Sequence, residues 1–444
     1  MGRYVYSLHD YHSIKRAVID IDGVTVLSGV NGCGKSTLSK WLYYVVNGTN
    51  DFDKYVFDDF VGRIRSIVHK LSFAVRDIER GGSDESSSFL QVAEFRLRRY
   101  VYDKNGFDGV DEVLALNEKV ITRFCDALRK YLKGSPSPSA SERLLNFLEI
   151  SLDDYATADE AVEALSQKYM QEATDIVDEY RREKETRRKE YFFKLITREF
   201  KIDYKAPNNI QLEEDGVKLF RKNLVGGFYN LDRAIYVDTP MAVSEYGGRD
   251  NPFWDNLRSL MLRDRNGFEP DAPCKRILMR IRRLLNGRVE IEKNDFDQNE
   301  MHYVREDGLD IRLEDTATGF KSFSYIMRLL ENGYINDKTL LMIDEPEAHL
   351  HPQWIVEFAH ILVLLNKELG AKVMVASHNP NMVEAIQAVA KKLGVLENTH
   401  FYMAKEAENR FTYEYEDLGQ DVEGVFKSFN VAYQKIEQYG SVDI

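Results

Sequence analysis

The stretch GVNGCGKST, residues 29–37, constrains this chain more than any other nine positions. It fits G-x-x-x-x-G-K-[ST], with Gly29, Gly34, Lys35 and Ser36 at the fixed places, directly after the β-branched run VTVL at 24–27. A polyphosphate needs backbone N–H groups converging on it, which only residues without a bulky Cβ allow. Gly32 and Gly34 meet that need, Lys35 supplies a cation for the β and γ oxygens, and Ser36 supplies a hydroxyl for Mg2+. Asn31, Cys33 and Thr37 belong to the same nucleotide-contacting loop, with Cys33 read as a small residue inside it. After the loop, Leu38, Trp41, Leu42, Val45 and Val46 recur at helical spacing, and Asn47-Gly48 is expected to stop the helix. Strand, glycine loop and helix in that order predict a nucleotide site rather than a bare turn.

The other half of such a site stands far along the chain. LLMIDEPEAHLHP, 340–352, begins with four apolar residues that read as a strand buried on both faces, ending in Asp344 and Glu345. Carboxylates at the C-terminal end of a strand in a doubly wound sheet lie where ligands bind. Asp344 is expected to hold Mg2+, directly or through water, and Glu345 to orient and deprotonate an attacking water. A further apolar strand, VMVA at 373–376, leads to Ser377-His378-Asn379, where an imidazole can sense a γ-phosphate.

These three stretches resemble the Walker A, Walker B and H-loop of ABC-type ATPases. DEPEAHLHP in particular is similar to the branch that holds the OLD-family, RecF-like and chromosome-maintenance (SMC-like) ATPases. The resemblance covers about residues 1–60 and 230–405. It implies an α/β fold, an ABC-type P-loop ATPase head of mixed and parallel sheet with flanking helices, in which two heads sandwich ATP and each presents a signature helix to the other's γ-phosphate. TATGFKSF, 316–323, stands where that signature belongs: Thr318 and Gly319 match the serine and first glycine of the family's S-G-G-Q core, while Phe320 replaces the second glycine and Lys321 the glutamine. Thr318, Gly319 and Lys321 are therefore expected to contact nucleotide across a homodimer, or a higher homo-oligomer. No Q-loop is evident; Gln91 is one candidate among several.

Lys35 and Asp344 are 309 positions apart, so something is inserted. The sequence divides into a first head segment (1–105), a helical or short coiled-coil arm (106–205), a second head segment (206–405) and a tail (406–444). Val113, Leu116, Val120, Phe124, Leu128 and Leu132 predict a helix over 109–133, GSPSPSAS (134–141) a linker, and Thr157-Ala-Asp-Glu160 a capping box. The helix so capped is expected to run through Val162, Leu165, Tyr169, Ala173, Ile176 and Tyr180 to about residue 198, as a short coiled coil or a helix packed along a hairpin. RREKETRRK (181–189) is either a solvated helix face or a nucleic-acid contact, and CKRILMRIRRLLNGR (274–288) reads as an amphipathic helix of the head. RAIYVDTP (233–240) is expected to be a core strand, HYVREDGLDIRL a hairpin around Asp307-Gly308, and His349 and His351 a loop or interface rather than a metal site. FTYEYEDL is a possible strand of the tail and DVEGVFKSFNVAYQKI a helix.

Composition narrows the function. The net charge of −13 argues against a wholly nucleic-acid-binding surface, so DNA contact is confined to a patch. Three scattered cysteines suggest neither disulfides nor zinc, and no run approaches the roughly 18 apolar residues of a membrane span. The expected address is cytoplasmic, with no membrane partner. The leading expectation is an ATP hydrolase acting as a nucleotide-gated dimer, regulating a separately encoded effector protein in bacterial anti-phage defence, as the OLD-type, Septu and PARIS ATPases do; the tail of about 66 residues after His378 is short for a nuclease domain of its own. The alternative is a DNA repair or recombination ATPase of the RecF or SMC-like sort. A transporter subunit would not need the long helical insertion.

Overall fold

The computed structural model describes residues 2–79, 86–102, 109–134, 137–238, 252–263, 267–294, 297–426 and 438–439. The chain forms two compact units, one of residues 1–50 with 196–444 and the other of residues 51–195. The divisions read from the sequence, at 105, 205 and 405, thus differ from the units: residue 105 falls inside the second, and the strand of the expected tail belongs to the first unit's sheet.

The first unit opens with a hairpin of β1 (Tyr4–Tyr11) and β2 (Ile14–Asp20), followed by β3 (Val24–Ser28) and α1 (Lys35–Asn50). The expected stop at Asn47-Gly48 does not occur. Asn47 is buried, and its amide forms two hydrogen bonds of 2.9 Å with the backbone N–H and C=O of Ala234, so it serves as a clasp rather than a terminator.

The second unit is helical: α2 (Phe52–Glu79), α3 (Ser86–Tyr102), α4 (Val110–Lys133), α5 (Pro138–Phe147), α6 (Ala158–Thr186) and most of α7 (Lys189–Glu199). Thr157 accepts the Glu160 N–H at 3.2 Å, and the Glu160 carboxylate reaches back to the Ala156 N–H, which starts α6 as the capping box predicts. The expected apolar seam, Val162 to Tyr180, is buried, but it packs on α2 and α4 as part of a bundle. The run does not continue to residue 198. Arg187 takes a left-handed φ of 48°, its guanidinium lies 4.5 Å from the Phe52 ring centroid, and Arg188 pairs with the fully buried Glu183. These contacts secure a corner that the charge pattern concealed. Likewise the expected linker yields to α5, where Pro138 opens the helix with its fixed φ; residues 135–136 lie outside the described set.

The first unit resumes with β4 (Asn209–Glu214), β5 (Val217–Lys218), β6 (Phe220–Arg221), β7 (Leu224–Val225), β8 (Arg233–Val237), α8 (Pro252–Leu262), α9 (Ala272–Leu285), β9 (Gly287–Lys293), β10 (Asn299–Arg305) and β11 (Asp310–Arg312). Then come α10 (Thr318–Glu331), β12 (Thr339–Asp344), α11 (Pro352–Leu369), β13 (Lys372–Ser377), α12 (Pro380–Leu393), β14 (Thr399–Glu406) and β15 (Tyr413–Asp417). Ten strands form one sheet in the order β5-β4-β1-β2-β15-β14-β3-β13-β12-β8, with β14, β3, β13, β12 and β8 parallel. Every residue of β3, β12 and β13 is buried, as continuous apolar runs in a parallel sheet require. Alternation decides the faces. Val24, Val26, Ile235, Val237, Leu341, Ile343, Val373 and Val375 share a core with α9 to α12, while α1 packs on β8, β12 and β13. The expected hairpin around Asp307-Gly308 joins β10 to β11, and the basic residues of α9 pair outward, Arg276 with Glu368 and Arg280 with Glu357 at 2.6 Å. Residues 427–436 of the expected tail helix lie outside the described set. Among the described residues no helix is long and apolar enough to cross a membrane.

β14 is tied to the start of β3 by His400, whose Nε2 lies 2.6 Å from Asp22 Oδ1. That hydrogen bond raises the imidazole above its usual 6.5 and holds the Asp22 carboxyl below its usual 3.8. The histidine's share of stability is full below 6.5 and lost as pH rises through its raised value, and the carboxylate's share is full above 3.8 and lost as pH falls through its lowered one. The melting temperature of the wild type should exceed that of Asp22→Asn most between those two pH values, and the gap should shrink at alkaline pH.

Candidate nucleotide site

The three motifs exit one edge of the sheet because of register. Ser28 at the end of β3 pairs with Ser377 at the end of β13, and Ala376 pairs with Asp344 at the end of β12. The glycine loop, the two carboxylates and His378 therefore leave three adjacent parallel strands at one level.

The loop's backbone demands its glycines. Gly34 sits at φ 97°, and a Cβ there would come within 2.6 Å of Ile14 Cγ1; Gly29 sits at φ 149°, with Ala404 Cβ and Cys33 Sγ within 2.9 Å of the same added atom. Asn31 and Gly32 are exposed, and Ser36 and Thr37 begin α1. The Cys33 side chain is fully buried, and the Tyr415 hydroxyl donates to its carbonyl at 3.2 Å, so only its backbone faces the loop's opening to solvent. Lys35 Nζ donates to the carbonyls of Gly29 and Val30 at 2.9 and 3.1 Å, holding the loop curled.

Asp344 is buried at the end of β12. Its Oδ2 accepts the Tyr236 hydroxyl at 2.7 Å, and Oδ1 has no partner among the described residues. Burial raises its pKa, partly offset by the nearby hydroxyls of Ser36 and Tyr236. A buried carboxylate oxygen left bare beside a serine hydroxyl fits a hard divalent cation, which takes oxygen ligands and keeps waters of its own.

Glu345 adopts φ 47° and donates its N–H to Ala376 O at 2.8 Å, which turns its side chain out toward solvent. Its Oε1 lies 3.3 Å from His378 Nδ1. Glu347, two residues on, is buried: its Oε1 accepts the Ser377 hydroxyl at 2.6 Å and lies 3.8 Å from His378 Nδ1, and burial raises its pKa. It links the loop after β12 to the loop after β13.

Thr318 and Gly319 form the first turn of α10, with Ala317 before them and no side chain capping the helix. A Cβ on Gly319 would come within 3.0 Å of Leu350 Cδ2, so the turn rests on the segment after the carboxylates. Phe320, which takes the place of a glycine, packs between Tyr303 and Trp354 at centroid distances of 5.2 and 5.1 Å. Lys321 is 94 % buried, and its ammonium makes no hydrogen bond or ion pair among the described residues. Gln91 lies exposed on α3, in the second unit. His351 accepts the Gln353 N–H as the residue before Pro352 opens α11. Metal-type side chains gather elsewhere, where His302 lies 2.8 Å from Asp310 and 3.8 Å from Glu292 on the three-stranded sheet.

Sequence reasoning missed Tyr236 and Glu347. RAIYVDTP shows a strand, yet only the pairing of Val237 with Ile343 puts Tyr236 on the face of Asp344. Glu347 had a signal, as the third carboxylate of DEPE, but nothing in the sequence says it is buried.

Fold and site together resemble a P-loop ATPase head, a class that binds nucleotide. Residues 178–384 match the family described as "AAA domain, putative AbiEii toxin, Type IV TA system". That match takes in α10, Asp344, Glu345 and His378 but not the glycine loop. The chain is similar to the Septu protein PtuA of Bacillus thuringiensis, 27% identical over 134 residues, 26% of this chain and 33% of that protein. The match thus spans about a third of the relative's length. Among solved structures it is similar to an SMC head bound to the C-winged helix domain of ScpA (11% identity, 96% of this chain and 99% of that one, TM-score 0.38) and the SMC head domain from Thermotoga maritima (10%, 94% and 99%, 0.37). Superpositions this loose carry no functional weight.

Gly34→Ala should cost about 1–3 kcal/mol through backbone strain and the clash with Ile14, and should abolish binding of a fluorescent ATP analogue. Gly32→Ala, strained at φ 83° but with nothing within 4 Å of the added atom, should lose less binding than Gly34→Ala. Equal binding by the two variants would rule out the reading of the loop as a close-fitting cradle.

Proposed function

We propose that this chain binds and hydrolyses ATP with Mg2+ as a head-to-head dimer and thereby gates a separately encoded effector in bacterial anti-phage defence. The observation that carries the chemistry is the bare Oδ1 of buried Asp344 beside Ser36, at the mouth of a glycine loop. Ser36 and Asp344 would hold the metal, which supplies positive charge to the phosphates when bound. Lys35 leaves the Gly29 and Val30 carbonyls for the β and γ oxygens, and loop N–H groups of residues 32–35 take the remaining charge. Glu345 accepts a proton from water as the water oxygen bonds to the γ phosphorus and the bond to the β-phosphate oxygen breaks, releasing ADP and phosphate. His378, braced by Glu345 and Glu347, reads the presence of the γ-phosphate.

Dimerisation is supported by the uncapped start of α10, whose free N–H groups would suit an anion brought by a second copy. The effector reading is supported by the likeness to a Septu protein and by a family description that includes a toxin–antitoxin system. DNA contact by residues 181–189 is weakened, because Arg187 stacks on Phe52 and Arg188 pairs with Glu183.

Glu345→Gln should lower turnover by roughly 10²-fold or more and accumulate an ATP-bound dimer in size-exclusion chromatography with light scattering. A monomeric variant with ordinary turnover would refute the reading. Pull-down with neighbouring gene products, set against DNA stimulation of hydrolysis, decides between the defence role and the repair alternative.

A further inference from the structure

The Asp344 carboxylate is held by a residue from a strand that none of the three motifs includes. Tyr236 lies in the middle of β8, and the parallel pairing of Val237 with Ile343 puts Tyr236 and Asp344 on the same face, the one covered by α1. Its ring is 1 % exposed and packed against Phe253 at 4.7 Å and Tyr43 at 6.3 Å between centroids. That packing leaves the hydroxyl one direction, toward Asp344 Oδ2, which it reaches at 2.7 Å. Lys40, one turn beyond Ser36 on α1, lies 5.8 Å from the ring centroid and 3.7 Å from Asp238, the residue that follows β8.

A carboxylate has two equivalent oxygens and turns about its last bond. With Oδ2 fixed by a buried phenol, rotation stops and Oδ1 alone is presented, bare, beside Ser36. A neutral donor suits this work, because it orients the carboxylate without cancelling the charge that a cation needs. Partners behind a ligand that fix its direction commonly change metal affinity by about 10–100-fold when removed.

We propose that Tyr236 is a positioning residue that locks Asp344 for single-oxygen binding of the divalent cation; this rests on the nucleotide-and-magnesium reading above. The structure marks the hydroxyl, not the ring, as the active part. Tyr236→Phe deletes only that oxygen and keeps the aromatic packing. Phe253→Leu disturbs the packing and keeps the oxygen.

The test is titration of each protein with a fluorescent ATP analogue in EDTA and then in graded MgCl2, with bound Mn2+ followed by electron paramagnetic resonance and folding by thermal melting. Tyr236→Phe should bind the analogue in EDTA as the wild type does, yet need roughly tenfold or more Mg2+ or Mn2+ for half-saturation. Phe253→Leu should melt earlier, with its metal half-saturation moved less than that of Tyr236→Phe. A folded Tyr236→Phe with wild-type Mg2+ and Mn2+ dependence overturns the proposal while leaving the nucleotide reading intact. A wild type that ignores metal or nucleotide overturns both.

Discussion

Everything at the site depends on the in-register parallel pairing of β3, β13 and β12. Hydrogen bonds between these strands bring Ser28, Ser377 and Asp344 to one level, although Lys35 and Asp344 are 309 positions apart in the chain. A slip of one residue would carry Asp344 to the opposite face, among α9 to α12, and strip the glycine loop of its carboxylate. The register is strongly specified because both faces are buried: Leu341, Ile343, Val373 and Val375 fill one core, and Met374 and Tyr236 turn toward α1 and its neighbours.

That burial has an electrostatic consequence. Asp344 and Glu347 are both carboxylates out of water, both raised in pKa by desolvation, and each keeps one oxygen without a partner among the described residues. Proteins rarely leave such groups unsatisfied, since each costs about 1–3 kcal/mol or more when charged. Glu345 and His378 differ, standing partly open to solvent and within reach of one another.

The helical unit shows the same economy on a smaller scale. Its buried Glu183 binds Arg188, and Arg187 covers Phe52, so residues that look like a cationic surface in RREKETRRK close a corner between α6 and α7. In the first unit, Phe320 fills a gap between Tyr303 and Trp354 where a glycine would leave one.

The glycine loop, the carboxylate strand, the histidine strand and the helix at 318 were legible because each rests on local rules: glycine's freedom at positive φ, apolar runs buried on both faces, a period near 3.6. The capping box at Thr157 and the turn at Asp307-Gly308 were legible for the same reason. What failed were inferences about continuation and company. Asn47 reads as a stop until Ala234 is seen to bond it, and the helix from Ala158 seems to run on until Glu183 is seen to capture Arg188. By itself the sequence determined the chemistry on offer, a phosphate cradle, two carboxylates and an imidazole at strand ends. Only the tertiary structure decided that Tyr236 grips Asp344 and that Glu347 lies beside His378, because those contacts join segments whose distance in space no local pattern encodes.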